Sequence, residues 1–349
     1  MMIDDNKLHA LLGKLVNEVG AAANAALVHL GDKLGLFRSL AAHGPATPAE
    51  LAERTGTAKR YVQEWLAAQA ASGLIEYDAA KGRFLMTPEQ IAALADEDSP
   101  VFMGGGFESL AAVYAGAPRL TEAFRTGEGV GWDQHCGCLF CGTARFFRSG
   151  YRAHLISDWL PALDGVVEKL ERGARVADVG CGHGASTLMM AEAFPNSEFI
   201  GFDYHEGSVA HAREAGKDAP NLRFATARAQ QFPGRDYDLV AMFDALHDMG
   251  DPVGATRHAR GSLRRDGTLM LVEPMANDRL EANLNPISRS YYAFSTQLCV
   301  PASLSQDVGL ALGAQAGEAR IADVVRAGGF RSVRRAAETP FNMVIEARP

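Results

Sequence analysis

The chain has 349 residues, of which 47% are hydrophobic and 22% are charged, and its formal net charge at pH 7 is −8. This length exceeds what one minimal core needs and favours two domains, or one domain with large additions. The acidic balance argues against a general affinity for nucleic-acid phosphates, which bind to cationic surfaces. Five cysteines in so long a chain do not indicate a disulfide framework.

The first ten residues carry acidic side chains and lack the basic region and apolar core of a signal peptide. No apolar run approaches the roughly twenty residues that a membrane-spanning helix requires. We therefore expect a cytoplasmic protein without a membrane-spanning segment.

Apolar residues recur at helical spacing from Leu8 to Leu34 and predict one long helix. The apolar stripe is wide, so part of it is expected to pack outside its own domain. A homodimer interface is the favoured interpretation, and packing within one subunit is the alternative.

A winged-helix pattern follows. Thr47 and Pro48 open a short helix, a second helix is predicted from Ala58 to Ser72, and residues 73–86 are typical of a hairpin. This layout occurs in DNA-binding proteins, so a transcriptional regulator is an alternative function. Residues 1–90, however, contain nine basic and ten acidic side chains. We interpret residues 1–95 as a dimerisation and substrate-capping domain that is not expected to bind nucleic acid.

Residues 96–170 are predicted to form a helical linker, with small helices between Pro100 and Gly131. His135 is followed by Cys136, Cys138 and Cys141, a spacing that could supply soft ligands to zinc or a metalloid. The second, separated pair that makes zinc motifs specific is missing. We therefore interpret the segment as a loop with small, partly buried thiols and predict no metal site.

A helix is predicted from Ala144 to Leu160 and contains several aromatic residues. Aromatic residues at this spacing are typical of a core. Because the segment leads into the strand described next, Phe147 or Tyr151 could also lie over a bound cation.

The most informative stretch runs from the apolar strand Val176–Val179, through a glycine-rich turn at 180–184, into a helix that ends near Ala193. A second apolar run, 199–202, ends on Asp203. This order of strand, glycine turn, helix, strand and acid is typical of a nucleoside-binding βαβ unit. Glycine lets a ligand lie against the backbone, and the terminal carboxylate can accept hydrogen bonds from ribose hydroxyls. The stretch predicts a ribose-binding site.

The spacing alone does not choose the nucleoside, because Gly180, Gly182 and Ala185 satisfy the nicotinamide fingerprint. Gly184, however, stands one place early. Asp178 places an acid where a pyrophosphate would approach, and an acid suits a ligand with an ammonium and a sulfonium group. S-adenosylmethionine is therefore favoured, and NAD is the alternative.

Strands and helices continue to alternate after Asp203, which predicts a doubly wound, mostly parallel Rossmann-like sheet over residues 171–349. Ligands are expected at the carboxyl ends of its strands. Residues 275–317 interrupt the alternation with a segment that is rich in Ser, Asn and Pro. We expect this insertion, with Tyr291 and Tyr292, to line an acceptor pocket.

His247 closely follows the predicted strand Tyr237–Phe243 and should therefore lie near the reacting end of the cofactor. Methyl transfer from a sulfonium is an in-line displacement that chiefly requires positioning of the acceptor atom. An imidazole is a natural base for an acceptor that carries a proton. A structural role is the alternative for this residue.

The motifs DVGCGHG, GFD, YDLVAMFDALHDMGDP and GTLMLVEP resemble those of class I S-adenosylmethionine-dependent methyltransferases. The chain is most similar to the small-molecule O-methyltransferases that carry a winged-helix-like domain before the catalytic domain. The motifs cover residues 178–274, and a weaker likeness extends over most of the chain. The resemblance implies S-adenosylmethionine, a small-molecule acceptor, and Glu273 as the carboxylate that orients His247. Here Met249 stands where that family has an aromatic residue.

Residue by residue, the interpretation gives two sets of candidates. The cofactor set is Asp178, Gly180, Cys181, Gly182, Asp203, Tyr204, Phe243 and Asp244, with Arg228, Ala229 and Gln230 near the adenine. The acceptor set is Phe147, Tyr151, Tyr291 and Tyr292. Arg228 departs from the family, which often has an acid there. Acceptors with O, N, S or C nucleophiles remain open, as does a thiol-based metalloid methyltransferase.

Overall fold

The computed structural model describes residues 3–349, which form two compact units. The first unit contains the residues up to Ala112 together with Cys141–Ser149. The second contains Val113–Phe140 and Gly150–Pro349. The domain limits given above stay a prediction.

The first unit is a helical domain with a small hairpin. Its elements are α1 (Asp5–Lys33), α2 (Leu36–His43), α3 (Pro48–Thr55), α4 (Lys59–Ala71), β1 (Glu76–Asp78), β2 (Arg83–Leu85), α5 (Pro88–Leu94) and the beginning of α6 (Gly104–Thr126). Helices α3 and α5 each begin with a capping box, whose N-cap residue is Thr47 in α3 and Thr87 in α5. In both helices the first helical residue is a proline. Phe37, Trp65 and Leu66 lie in the core. The predicted helix, turn, helix and wing are confirmed.

Helix α1 is buried only in its second half, where Asn24 and Val28 face the core. In its first half Leu11 is 52% exposed, and Val16 and Val19 are each 70% exposed. Along these turns, the apolar stripe predicted from the sequence is therefore left uncovered by the other residues in the range 3–349.

By length and composition, α1 is also apolar enough to cross a membrane, which corrects the expectation that no segment would qualify. A single such helix near the N-terminus is weak evidence for a span. The predicted location of the protein in the cytoplasm stays a prediction.

The second unit is built on a seven-stranded sheet. Its helices are α7 (Gly137–His154, shared with the first unit), α8 (Val166–Arg172), α9 (Ala185–Ala193), α10 (Glu206–Ala215), α11 (Pro252–Ser262), α12 (Pro286–Phe294), α13 (Val300–Leu304) and α14 (Glu318–Ala327). Its strands are β3 (Arg175–Val179), β4 (Glu198–Asp203), β5 (Leu222–Thr226), β6 (Tyr237–Phe243), β7 (Leu263–Pro274), β8 (Ser332–Glu338) and β9 (Asn342–Arg348).

The strand order is β5-β4-β3-β6-β7-β9-β8, with β9 antiparallel to both of its neighbours and all other pairs parallel. The central strand β6 is buried along its whole length because both faces of the sheet are covered. The strand order reverses between the neighbours β3 and β6, so the connections that follow these two strands lead in opposite directions and leave the crevice where open sheets of this kind bind ligands. The predicted doubly wound, mostly parallel sheet is confirmed.

The region between Pro100 and Gly131 differs from its prediction, because one helix of 23 residues replaces the expected small helices. Its glycines are contact points between helices. A Cβ on Gly105 would lie 2.4 Å from the backbone nitrogen of Phe146, and one on Gly142 would lie 2.6 Å from that of Ser109. Glycine at these positions allows α6 and α7 to approach each other closely.

The cysteine segment also differs from its prediction. Helix α7 begins at Gly137, seven residues before the predicted start, so Cys138 and Cys141 are helical and do not lie in a loop. Cys136 and Cys138 form a disulfide. Cys141 is a free thiol and is exposed.

The insertion between β7 and α14 carries its own helices. A 3-10 turn at Leu280–Asn283 is followed by α12, a π-helical turn at Ser295–Cys299, and α13. A second π-helical turn, Leu155–Trp159, extends α7.

Candidate active site

The glycine turn lies between β3 and α9. Gly180, Gly182 and Gly184 have φ values of 79°, 54° and 79°, which side chains other than glycine rarely adopt. The backbone N–H of Gly182 donates to Oδ2 of Asp203 over 2.9 Å. Nothing within 4 Å would meet a Cβ on Gly182, so the backbone there borders open space.

Asp203 is held at the tip of β4. Its Oδ1 accepts a second backbone hydrogen bond, from the N–H of His205 over 2.8 Å. Burial raises the pKa of this carboxyl, although the backbone bonds act to lower it. Each oxygen keeps acceptor capacity after these two bonds, which is what binding of two ribose hydroxyls requires.

Asp178 lies one strand away and is fully buried. Its Oδ2 accepts hydrogen bonds from the hydroxyls of Ser186 and Thr187, both over 2.7 Å. Its Oδ1 is buried without a partner. Burial raises the pKa of Asp178 to about 6. An unpaired buried acceptor is costly, and the ammonium group of a methionine moiety is a donor of the right charge for it.

His247 and Glu273 form a buried pair at the ends of β6 and β7. Nδ1 of His247 lies 2.7 Å from Oε2 of Glu273. Oε1 of Glu273 accepts the backbone N–H of Leu246 over 3.0 Å, so both carboxylate oxygens are fixed. His247 is 5% exposed and Glu273 is 0% exposed. The role of Glu273 in orienting His247 stays a prediction.

The protonation of His247 depends on its neighbours. Burial acts to lower the pKa of His247, but the charge of Glu273 and the hydrogen bond to its carboxylate outweigh that effect. The pKa therefore lies well above its ordinary value.

Asp244 follows β6 directly and links three elements. Its backbone has φ of 49°, in the left-handed region that favours glycine. Oδ2 accepts the hydroxyl of Tyr151 over 3.0 Å, and Oδ1 accepts the side-chain amide of Asn342 over 2.8 Å. Burial and the nearby charge of Glu273 raise the pKa of Asp244 to about 8.

Asp248 completes the polar lining. Its Oδ2 accepts a hydrogen bond from Nε1 of Trp132 over 3.0 Å. Burial raises the pKa of Asp248 to about 6.

Five acidic residues thus converge on the carboxyl ends of neighbouring strands: Asp178, Asp203, Asp244, Asp248 and Glu273. Their electrostatic effects on one another show that they are close, since Asp203 acts on both Asp178 and Asp248. Such a cluster favours a cationic ligand and opposes a pyrophosphate.

The other predicted cofactor residues are spread around this centre. Phe243 is buried, with its ring 5.4 Å from that of Tyr151, and Tyr204 is 45% exposed. Cys181 is buried, and burial raises the pKa of its thiol. The adenine candidates Arg228, Ala229 and Gln230 lie beyond β5, where Arg228 pairs with Asp307 over 3.3 Å and Gln230 donates to the carbonyl of Asp251 over 3.1 Å.

The acceptor candidates fall into two groups. Tyr291 is buried on α12 and donates its hydroxyl to the carbonyl of Phe341 over 2.8 Å, and Tyr292 is half-buried beside it. Tyr151 is on α7 and contacts Asp244, as described above. Phe147 belongs to the first unit, where its ring packs against Phe146.

Three site residues were not predicted, namely Trp132, Asp248 and Asn342. Asp248 could have been found from its place next to His247. The others come from distant segments, and the sequence gives no local signal for them.

A surface groove of about 460 Å³ lies elsewhere on the second unit and is lined mainly by α11 and the loop before β6, including Gln230, Asp251, Arg257 and His258. It does not contain the His247–Glu273 pair. We assign the chemistry to the carboxyl ends of the strands, because the unpaired Oδ1 of Asp178 and the carboxyl groups with raised pKa values lie there.

No group of three or more His, Cys, Asp or Glu residues is arranged to hold a metal ion within residues 3–349. The hypothesis of several thiolate ligands does not fit this structure, because Cys136 and Cys138 are bonded to each other.

The fold is that of a Rossmann-like methyltransferase. Residues 170–314 match the methyltransferase domain family, and residues 22–96 match the Rv2258c-like winged HTH domain family. The chain therefore carries a methyltransferase domain with a winged-helix domain before it, as the resemblance implied.

Curated relatives match part of the chain. The trans-aconitate 2-methyltransferase of Variovorax paradoxus (strain S110) is 32% identical over 166 residues, which cover 40% of this chain and 61% of that protein. The acetylserotonin O-methyltransferase of Mus musculus is 35% identical over 107 residues, which cover 28% of this chain and 27% of that protein. The chain thus spans less than two thirds of the length of these relatives.

Solved structures match the whole fold. Human N-acetylserotonin methyltransferase, in complex with SAM, has a TM-score of 0.73, with 17% identity and coverage of 100% of this chain and 99% of that chain. The mitomycin 7-O-methyltransferase MmcR has a TM-score of 0.68, with 20% identity and coverage of 99% and 100%. At these identities the likeness shows the fold alone.

Proposed function

We propose that the protein transfers the methyl group of S-adenosylmethionine to a hydroxyl group of a small-molecule acceptor, with His247 as general base. The observation that carries this proposal is the buried His247–Glu273 pair beside a cluster of acidic side chains. The O-methyltransferase names of two of the relatives above agree with an oxygen acceptor.

The geometry supports a set of residues that would hold the cofactor. The glycine turn at 180–184 offers open backbone, and Asp203 would accept the ribose hydroxyls. The unpaired Oδ1 of Asp178 would accept a hydrogen bond from the ammonium group, directly or through the backbone of the glycine turn. Ala229 and Gln230, beyond β5, are the candidates for the adenine. The site residues present therefore fit S-adenosylmethionine.

Bound S-adenosylmethionine supplies a methyl group that is already activated by the sulfonium. The protein must then hold the acceptor oxygen in line with that methyl group and accept its proton. Glu273 fixes the His247 ring through Nδ1, which leaves Nε2 to receive the proton. The carboxylate of Glu273 would stabilise the imidazolium that forms.

The acidic cluster would also help the enzyme to exchange the spent cofactor for a new one. S-adenosylmethionine carries a sulfonium charge that S-adenosylhomocysteine has lost. Carboxyl groups that line the site are expected to increase its affinity for the cationic substrate more than its affinity for the neutral thioether product. This difference would favour exchange of product for substrate.

The winged-helix domain supports dimerisation more than DNA binding. Arg60 forms an ion pair with Glu64, and Arg83 forms one with Glu50, so these two cations are already neutralised. The exposed apolar first half of α1 is the surface that a second copy of the chain would cover. We expect a homodimer, and size-exclusion chromatography with light scattering measures it.

The function is tested by methyl transfer from deuterium-labelled S-adenosylmethionine to a panel of small phenols, hydroxy acids and amines, followed by mass spectrometry. We expect label on a hydroxyl group with the wild-type protein. His247→Ala should bind the cofactor normally and lower turnover by about 10²–10⁴-fold, the usual contribution of a general base. Equal turnover in the variant would remove His247 from the mechanism.

A further inference from the structure

The Cys136–Cys138 disulfide is a feature that the proposed reaction does not use. It joins residues that are only two positions apart, so it restricts the unfolded chain far less than a bond across a long loop would. Cys136 is exposed and Cys138 is half-buried, so solvent can reach the bond. In a cytoplasm, the location predicted from the sequence, disulfides are mostly transient, catalytic or redox-sensing. These properties favour a bond that is made and broken over a purely structural one.

The disulfide lies in a segment that borders the candidate active site. We call residues 130–140 the disulfide segment. Near its start, Nε1 of Trp132 donates to Oδ2 of Asp248 over 3.0 Å. At its end, the ring of Phe140 stacks on that of His205, with centroids 4.4 Å apart and an angle of 11° between the planes. The rings of Trp132 and Phe140 are themselves neighbours, with centroids 6.0 Å apart.

Both ends of the disulfide segment are attached to parts of the site. His205 donates its backbone N–H over 2.8 Å to Asp203, the carboxylate proposed for the ribose. Asp248 directly follows the proposed general base. The backbone N–H of Val130 donates to the carbonyl of Pro301 over 2.9 Å, which attaches the start of the segment to α13 of the insertion. A shift of the disulfide segment would therefore reach both the ribose side and the reacting end of the site.

The disulfide fixes the point at which this segment becomes helical. Cys136 is the N-cap residue of α7, and no side chain among residues 3–349 caps this end of the helix. Cys138 lies in the first turn, so the bond joins the residue before the helix to the turn that carries Phe140. The backbone N–H groups of an uncapped first turn have few partners, and such a turn is less stable. Reduction is therefore expected to loosen the first turn of α7 and the stack on His205.

We propose that Cys136 and Cys138 form a reversible dithiol–disulfide site that controls cofactor binding. The oxidised form holds Trp132 and Phe140 against the cofactor site, and the reduced form releases them. This inference rests on the proposed binding of S-adenosylmethionine at the carboxyl ends of the strands. It does not depend on the acceptor or on the role of His247.

Reduction requires a dithiol, which supplies two electrons and two protons. One thiolate of the dithiol attacks the sulfur of Cys136, the more exposed of the two. The sulfur of Cys138 leaves as a thiolate and takes up a proton. The second thiolate of the reductant then closes the reductant's own disulfide and releases Cys136, which is protonated in turn. The N-terminus of α7 assists the first step, because backbone N–H groups there stabilise the departing thiolate of Cys138.

The binding test uses calorimetric titration of S-adenosylmethionine into two forms of the protein. One form is treated with oxidised glutathione, and the other is reduced with dithiothreitol that is then removed without air. Alkylation and mass spectrometry count the two thiols that reduction releases. We expect the Kd to be about 2–10-fold higher in the reduced form, which corresponds to the loss of one aromatic contact. Equal affinities, or failure of Cys136 and Cys138 to form a disulfide after oxidation, would overturn the inference.

Three variants separate the disulfide from general effects of thiols. The double variant Cys136→Ser/Cys138→Ser should bind as weakly as the reduced wild type and should not respond to dithiothreitol. Cys141→Ser removes an exposed thiol outside the bond and should respond as the wild type does. Phe140→Leu removes the stack on His205, so it should weaken binding in the oxidised form and reduce the effect of reduction. An undiminished effect in Phe140→Leu would refute the stack as the link.

A second measurement does not depend on the cofactor. Hydrogen exchange followed by mass spectrometry reports the opening of the disulfide segment, and reduction should speed exchange within residues 130–140 while leaving the buried strand β6 unchanged. Unchanged exchange in residues 130–140 would overturn the inference, whatever the protein methylates. Faster exchange in a protein that binds no S-adenosylmethionine in either form would refute the proposed function, and control of cofactor binding with it.

Discussion

Replacement of Glu273 by Gln removes the charged partner of the proposed base, His247, without altering the size of the side chain at position 273. The His247–Glu273 hydrogen bond is 2.7 Å long and fully buried. A hydrogen bond to a charged group contributes about 1.5–3 kcal/mol. If this stabilisation is gained mainly when the ring becomes an imidazolium in the transition state, its loss lowers kcat by roughly 10–150-fold.

The variant also has a predicted pH signature. Glu273 raises the pKa of His247 by its charge and its hydrogen bond, so the pKa falls when the charge is removed. We therefore expect the maximum kcat of Glu273→Gln to be reduced and to be reached at a lower pH than in the wild type. Steady-state kinetics over a pH series measure both the plateau and the midpoint.

Glu346→Gln is the matched control, because Glu346 is also a buried glutamate, 2% exposed, on the neighbouring strand β9. It pairs with Arg348 over 2.7 Å and has no contact with His247. Its replacement should reduce the free energy of unfolding and leave kcat unchanged. A Glu273→Gln enzyme with wild-type kcat and an unshifted profile would refute the assignment of Glu273 as the group that orients the base.

Three further predictions concern the cofactor and the assembly. Asp203→Ala should weaken S-adenosylmethionine binding by about 3 kcal/mol, on the order of 100-fold, because two hydrogen bonds to ribose are lost; unaltered affinity in calorimetry would contradict the ribose assignment. Binding of the cationic cofactor near pH 6.5 should release protons, since a positive charge lowers the raised pKa values of Asp244 and Asp248, which are about 8 and about 6. Calorimetry in two buffers with different ionisation enthalpies measures this release, which should be smaller with S-adenosylhomocysteine; equal release with both ligands would argue against a carboxyl cluster at the sulfonium. Replacement of Val16 and Val19 by Glu should yield monomers in light scattering, and a wild-type protein that is itself monomeric would remove the dimer proposal.

The parts of the site that the sequence predicts are those in which a local pattern decides the geometry. The turn after β3 needs glycines because its backbone adopts positive φ angles, and Asp203 follows at the end of the next strand. His247 and Glu273 meet because β6 and β7 are parallel neighbours whose carboxyl ends lie at the same edge of the sheet. The apolar periodicities of helices and strands are also local patterns, and they predicted most of the elements of the second unit.

The remaining features depend on contacts between distant segments. Trp132 reaches Asp248 across 116 residues of sequence, and Asn342 reaches Asp244 across 98. No local spacing signals either contact.

Helix α6 was predicted as several pieces because its glycines resemble breaks in the sequence. Only the structure shows that Gly105 allows a second helix to approach closely.

The central claim is that the glycine turn and Asp203 bind an adenosyl sulfonium. Isothermal titration of the wild-type protein with S-adenosylmethionine and with NAD tests it most directly. We expect saturable binding of S-adenosylmethionine at one site per chain and no heat of binding with NAD. Saturable binding of NAD together with no binding of S-adenosylmethionine would contradict it.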